Sequence, residues 1–184
     1  MPNDAGSILP TLARAAIAWR LGLEHDAHAS HARLAEPAAC FVTLHKHGEL
    51  RGCVGSLEAH RPLGDDVRAN ALAAAFSDPR FTPLGVDEFE HISIEVSVLS
   101  PSERIEFINE REALTKLRPF VDGVILEYGR ARGTFLPQVW RDLPEPSEFL
   151  AHLKLKAGLR PDFWDTNIRL ARYCVTTWNE GARS

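Results

Sequence analysis

The stretch from Cys40 to Gly55 constrains the fold more than any other. Cys40 to Lys46 and Leu50 to Gly55 each read as a strand, with Lys46-His47-Gly48-Glu49 as the turn between them. A link this short joins antiparallel neighbours, because parallel ones need a crossover of a dozen residues or more. At least part of the sheet is therefore antiparallel. Helical patterns flank it, so the reading is α+β, a largely antiparallel sheet with helices packed on it, and not a doubly wound parallel fold. The register stays open. A two-residue turn at His47-Gly48 sets Cys53 opposite Val42, whereas a three-residue loop using Gly48 sets Thr43 opposite Cys53 and His45 opposite Arg51.

The remaining pattern supplies the layers. Ser7 caps a helix through about Glu24, with Ile8, Leu12, Ala15, Ala16, Trp19 and Leu23 recurring at helical spacing. Pro62 opens a second helix with Asp65 and Asp66 in its first turn, and Ser77-Asp78-Pro79 stops it. Ile92 to Leu99 is the clearest strand, with Ile92, Ile94, Val96 and Val98 on one face and Ser93, Glu95 and Ser97 on the other. A short helix is expected around Glu110 to Leu117, then a turn at Asp122-Gly123 and a strand from Val124 to Tyr128. Gly129-Arg130-Ala131-Arg132-Gly133 reads as a basic loop before Thr134-Phe135-Leu136-Pro137. A helix from about Ser147 stops near Gly158, and a strand from about Arg169 to Thr177 closes the sheet.

With 184 residues, one domain or a domain with a smaller lobe is expected. A formal net charge of -4 gives no general basic field for a phosphate backbone, so nucleic-acid binding is disfavoured. Met1-Pro2-Asn3-Asp4 lacks the basic start of a signal peptide and no segment has the apolar length of a membrane span, so a soluble cytoplasmic protein is expected. Cys40, Cys53 and Cys174 are odd in number and far apart, which reads as free thiols. The histidines His25, His28 and His31, and the pair His45 and His47, read as solvated ends of elements; no metal site is expected.

The candidate site centres on Leu50-Arg51-Gly52-Cys53-Val54-Gly55. Strand alternation puts Leu50, Gly52 and Val54 on one side and Arg51 and Cys53 on the other. A guanidinium near a thiol favours the thiolate, and Gly52 and Gly55 leave little bulk around the sulfur. The bland alternative is a small buried hydrophobe in a core strand. Asp78-Pro79-Arg80-Phe81 and Thr134-Phe135-Leu136-Pro137 are read as walls of the site. Cys53 is the candidate nucleophile, with Glu95 or His45 handling protons; Arg51, Gly52, Gly55 and Arg80 are the candidate substrate-binding positions.

Taken together, the motifs resemble the AmmeMemoRadiSam system protein A family, also called the AMME chromosomal region candidate domain. The residues that carry the likeness are Leu50 to Gly55 with Glu58-Ala59, Ala74-Ala75-Phe76 into Asp78-Pro79-Arg80-Phe81, Glu95 to Leu99, Asp122-Gly123, Phe135 to Val139, and Lys156-Ala157-Gly158-Leu159. They occur in family order over nearly the whole chain, with Val54 where the family usually has Ile. The resemblance implies an α+β protein of a larger and a smaller lobe, with the Arg-Gly-Cys strand bordering the cleft between them. It implies as partners a Memo-like protein, related in fold to non-haem iron dioxygenases, and a radical S-adenosylmethionine enzyme. It names no reaction and no cofactor. Two functional readings follow: a cysteine-dependent enzyme or enzyme component acting on an unknown substrate, and a non-catalytic accessory module presenting a substrate to those partners.

Overall fold

The structure is a computed structural model and describes residues 8–24 and 31–180. Ser7, His25 and His28 lie outside the described residues. The chain divides into two compact units, 1–99 with 176–184, and 100–175.

Unit 1 is one sheet carrying two helices. Helix α1 (Ile8–Leu21) is followed by strands β1 (Cys40–Lys46) and β2 (Glu49–Gly55), helix α2 (Leu63–Phe76) and strand β3 (Ile92–Leu99). The strand order is β2-β1-β3-β8, with β8 (Val175–Asn179) at the far edge. β1 pairs antiparallel with both β2 and β3. Cys40, Val42 and Leu44 of β1 and Ile92, Ile94, Val96 and Val98 of β3 share a core with Leu9, Leu12, Ile17, Leu63, Val67 and Ala71 of the helices. The period-2 apolar face of β3 and the helical periodicity of α1 and α2 therefore meet in one layer contact.

Helix α1 ends three residues earlier than the spacing predicts. Gly22 takes a positive φ of 73°, and the Leu23 amide donates back to the Ala18 carbonyl at 2.9 Å, the six-to-one bond of a glycine C-cap. Trp19, expected on the packing face, is 77% exposed. Arg14, which is not part of the apolar spacing, is buried instead. Its guanidinium binds both carboxylate oxygens of Glu180 and donates to the carbonyls of Phe89 and Ile92. With every charge-bearing group matched, burial of this cation is tolerated.

Unit 2 is a second sheet in the order β4-β7-β5-β6. Its elements are β4 (Glu103–Ile105), helix α3 (Glu110–Lys116), β5 (Gly123–Tyr128), β6 (Ala131–Phe135), helix α4 (Pro146–Lys156) and β7 (Arg169–Tyr173). Val124, Leu126 and Leu170 pack with Trp140, Phe149, Leu150 and Leu153, and the Trp140 and Phe149 rings stack at 3.7 Å.

Two expectations are corrected here. The basic stretch read as a loop is mostly strand, because Gly129 at φ 57° and Arg130 form a two-residue turn that pairs Tyr128 with Ala131. The strand read as running from Arg169 to Thr177 is two strands in different sheets. It breaks at Cys174, whose amide and carbonyl are taken by the Ser100 hydroxyl and amide instead of a ladder partner.

Candidate functional site

The hairpin resolves the open register in a way neither alternative anticipated. His47 and Gly48 form a two-residue turn with φ of 53° and 82°, the pattern that matches strand twist. Lys46 then faces Glu49 and His45 faces Leu50, but the register shifts, so that Leu44 faces Gly52 and Thr43 faces Cys53. Arg51 is the extra residue of a β-bulge. The short turn and the Thr43–Cys53 pairing therefore coexist, while His45 lies opposite Leu50, not Arg51.

The bulge also limits the predicted alternation. From Gly52 onward it holds, with Gly52 and Val54 opposite the core residues Leu44 and Val42. Before that it fails, since Leu50 is 42% exposed and Arg51 only 9%. Gly52 is needed for close approach to α2: a Cβ there would lie 2.2 Å from the Ala74 carbonyl oxygen.

Cys53 is half-buried, and its sulfur accepts a hydrogen bond from the Thr43 hydroxyl at 3.3 Å. Its backbone lies on the outer edge of β2 and is held by side chains in place of a further strand. The Cys53 amide donates to Asp78 Oδ2 at 2.9 Å, and the Cys53 carbonyl accepts from Arg80 Nη2 at 3.2 Å. Asp78 and Arg80 are in turn paired through Nε and Nη2, at 2.9 and 2.7 Å. The Asp-Pro-Arg-Phe segment thus imitates a neighbouring strand with one acceptor and one donor, which closes the edge to other chains.

The Arg80 guanidinium, with the Cys53 amide behind it, holds the Asp78 carboxyl well below the usual carboxylate range. Because the folded value lies below the unfolded one, the stabilisation is complete above about pH 4 and is lost as the pH falls below it. Asp78→Asn is expected to cost about 2 kcal/mol in urea unfolding at pH 7, as charge-assisted bonds become neutral ones, and to flatten the acid branch of stability against pH.

Arg51 belongs to a second cluster. Its Nε and Nη2 bind the two Glu88 oxygens at 3.1 and 2.8 Å, and Nη2 also donates to the Thr82 carbonyl. Lys46 Nζ and the Gly85 amide complete the shell of Glu88. These donors, Arg51 first, hold the Glu88 carboxyl well below its ordinary range. Phe81 lies within cation–π reach of both Arg51 and Arg80, at 5.8 and 5.6 Å.

Of the residues singled out from the sequence, the fold brings Cys53, Gly52, Gly55 and Arg80 together along β2 and its edge. Glu95 pairs with Thr43 from the other side, so Cys53, Thr43 and Glu95 form a row across three strands, with Cys53 and Glu95 about 10 Å apart by strand spacing. His45 is two residues further along β1, paired with Leu50 and Ser93. Thr134 to Pro137 belong to unit 2. Thr43 entered only through one of the two registers left open, and Glu88 carried no sequence signal of its own. The pairing of Asp78 with Arg80 was available from their spacing, and a buried Arg51 demands a carboxylate.

The other thiols differ in setting. Cys40 is buried and donates to Asp66 Oδ2, and burial, with Asp66 beside it, pushes this thiol well up. Cys174 is half-buried, with Arg118 Nη2 3.8 Å from its sulfur. Among the described residues no group of three or more His, Cys, Asp or Glu side chains is arranged to hold a metal ion. Among them, too, no helix is long and apolar enough to cross a membrane.

The AMMECR1 family model matches residues 10–178. The chain belongs to the AMMECR1 family. It is 38% identical over 190 residues to a protein of Methanothermobacter thermautotrophicus, covering 98% of this chain and 96% of that one. Protein MJ0810 of Methanocaldococcus jannaschii is 45% identical over 136 residues, 70% of this chain and 66% of the relative. The crystal structure of the uncharacterized protein PH0010 from Pyrococcus horikoshii superposes with a TM-score of 0.81 at 34% identity, covering 98% of this chain and 93% of that one. The α+β architecture is thus that of an AMMECR1-family protein, as the motifs implied, with two sheets where one was expected.

Proposed function

We propose that this AMMECR1-family protein is an enzyme, or a component of one, whose working group is the Cys53 thiol. The observation that carries the reading is the transverse row of Cys53, Thr43 and Glu95 on one face of the unit 1 sheet. The Thr43 hydroxyl is a donor whose bond strengthens when the sulfur is anionic. Thiolate attack on an acyl carbon then forms a carbon–sulfur bond over Thr43 while the bond from that carbon to its leaving group breaks, and the leaving group departs with the bonding pair and takes up the proton that the thiol gave to Glu95. Glu95, for which no hydrogen bond or ion pair is seen among the described residues, serves as the proton carrier. Arg80, with its side chain 53% exposed, offers its guanidinium to a carboxylate or phosphate on the substrate.

The test is competitive alkylation with iodoacetamide at pH 7, read by peptide mass spectrometry, with Cys40 and Cys174 as internal references. Cys53 is expected to modify first, and Thr43→Val to slow it severalfold while leaving Cys174 unchanged. Faster modification of Cys174, or a Cys53 rate indifferent to Thr43→Val, rejects the reading.

One observation favours the accessory-module alternative: Arg51 and Arg80 each already carry a carboxylate partner. On that reading the surface around Cys53 presents a substrate to a Memo-like protein and a radical S-adenosylmethionine enzyme. Retention of those partners by Cys53→Ser, with no turnover by the isolated chain, separates it from the enzyme.

A further inference from the structure

Unit 2 carries a hollow of about 470 Å³ at the turn end of the β5–β6 hairpin, and the Cys53 chemistry makes no use of it. Strand register builds it. Glu127 of β5 pairs with Arg132 of β6 on one side and with Arg169 of β7 on the other. Directly opposed residues share a face, so one carboxylate lies between two guanidiniums in a row across three strands. The two-residue turn of Gly129 and Arg130 sets a third arginine at the head of the hollow. Asn167 lines it as well, its backbone and side-chain nitrogens both donating to Asp165 Oδ1 at 2.8 Å.

The charges do not cancel. Arg132 pairs with Glu127 at 3.2 Å, whereas Arg130 and Arg169 have no side-chain ion pair or hydrogen bond among the described residues. An excess of two positive charges remains. Apart from Gly129 and Ala131 every lining residue is charged or an amide. The volume lies within the range of small-molecule clefts, and arginine forks match oxyanions with two parallel bonds. A single carboxylate would answer only one of the two uncompensated cations.

The geometry points to this hollow as a binding site for a small doubly charged oxyanion, inorganic phosphate or a phosphomonoester, held by Arg130 and Arg169 with Arg132 in reserve behind Glu127. The experiment titrates the full chain at constant ionic strength with inorganic phosphate and, separately, with glycerol 2-phosphate. Binding is followed through the amide resonances of Gly129 and Asn167. Saturable shifts are expected, and the double variant Arg130→Ala/Arg169→Ala weakens binding at least tenfold. Glu127→Gln moves the other way: it removes the repelling carboxylate from between the arginines, so binding tightens severalfold, a gain that a misfolded variant cannot produce. The tighter of the two probes tells whether the free anion or its ester is the ligand. Shifts that grow linearly without saturation, a double variant that binds like the parent, or a Glu127→Gln that leaves affinity unchanged or lower each overturn the assignment.

Discussion

Gly52→Ala is expected to destabilise unit 1 by about 3 kcal/mol. A Cβ at this position would lie 2.2 Å from the carbonyl oxygen of Ala74 and 3.1 Å from its carbonyl carbon, both in the backbone of α2. No rotamer change relieves that contact, so β2 and α2 must separate, which opens the core that Leu44 of β1 shares with Val67 and Ala71 of α2. Hydrogen exchange at the β1 amides reads the loss without interference from unit 2. The identity of the obstructing atom sharpens the prediction. Ala74→Gly gives no rescue, because the carbonyl remains. At Gly55 an added Cβ would instead meet the Phe41 ring at 2.2 Å, which is a side chain, so Gly55→Ala with Phe41→Leu recovers a large part of what Gly55→Ala alone loses. Rescue of Gly52→Ala by Ala74→Gly would show that the helix yields at this point.

These two glycines also mark how far the sequence was legible. Their placement beside Cys53 signalled a close approach, and the approach exists, although what comes close is α2 and the Phe41 ring. The hairpin, the one-sided strand β3 and the helices were readable because each repeats a local period. What escaped were features decided by residues distant in sequence. Arg14 is buried because Glu180, at the other end of the chain, supplies its counter-charge. Lys154, a cation in the last turn of α4, is buried against Glu110 and lies over the Trp164 ring. The bulge at Arg51 escaped for a related reason: the turn residues set the pairing at Glu49, but the packing of Gly52 on α2 sets it at Cys53, and one extra residue reconciles the two. Local pattern therefore located the candidate site on β2 and its edge segment, while long-range pairing decided which charge stands beside which.

That pairing supplies the second large effect. Glu88→Gln is expected to destabilise unit 1 by about 4 kcal/mol at pH 7, because it leaves the buried Arg51 charge without a counter-charge, with a neutral amide oxygen and the Thr82 carbonyl as its acceptors. Lys46 also loses its partner, but its side chain is 33% exposed and water compensates it. The carboxyl of Glu88 is held below its unfolded value, so its contribution is present above about pH 4 and fades as acid protonates it. Glu88→Gln should accordingly remove part of the parent's loss of stability below that pH. Replacing both partners with apolar residues of similar volume, Arg51→Met with Glu88→Leu, is expected to restore most of the stability, since no charge then needs burying. This double variant separates two roles for Arg51. It removes the guanidinium and leaves Thr43, Asp78 and Arg80 around Cys53 in place. A guanidinium already matched by Glu88 acts on the fold and not on the sulfur, so Cys53 in the refolded double variant is expected to alkylate at the parent rate. A severalfold slower reaction in a fully folded double variant would instead assign Arg51 to the thiol.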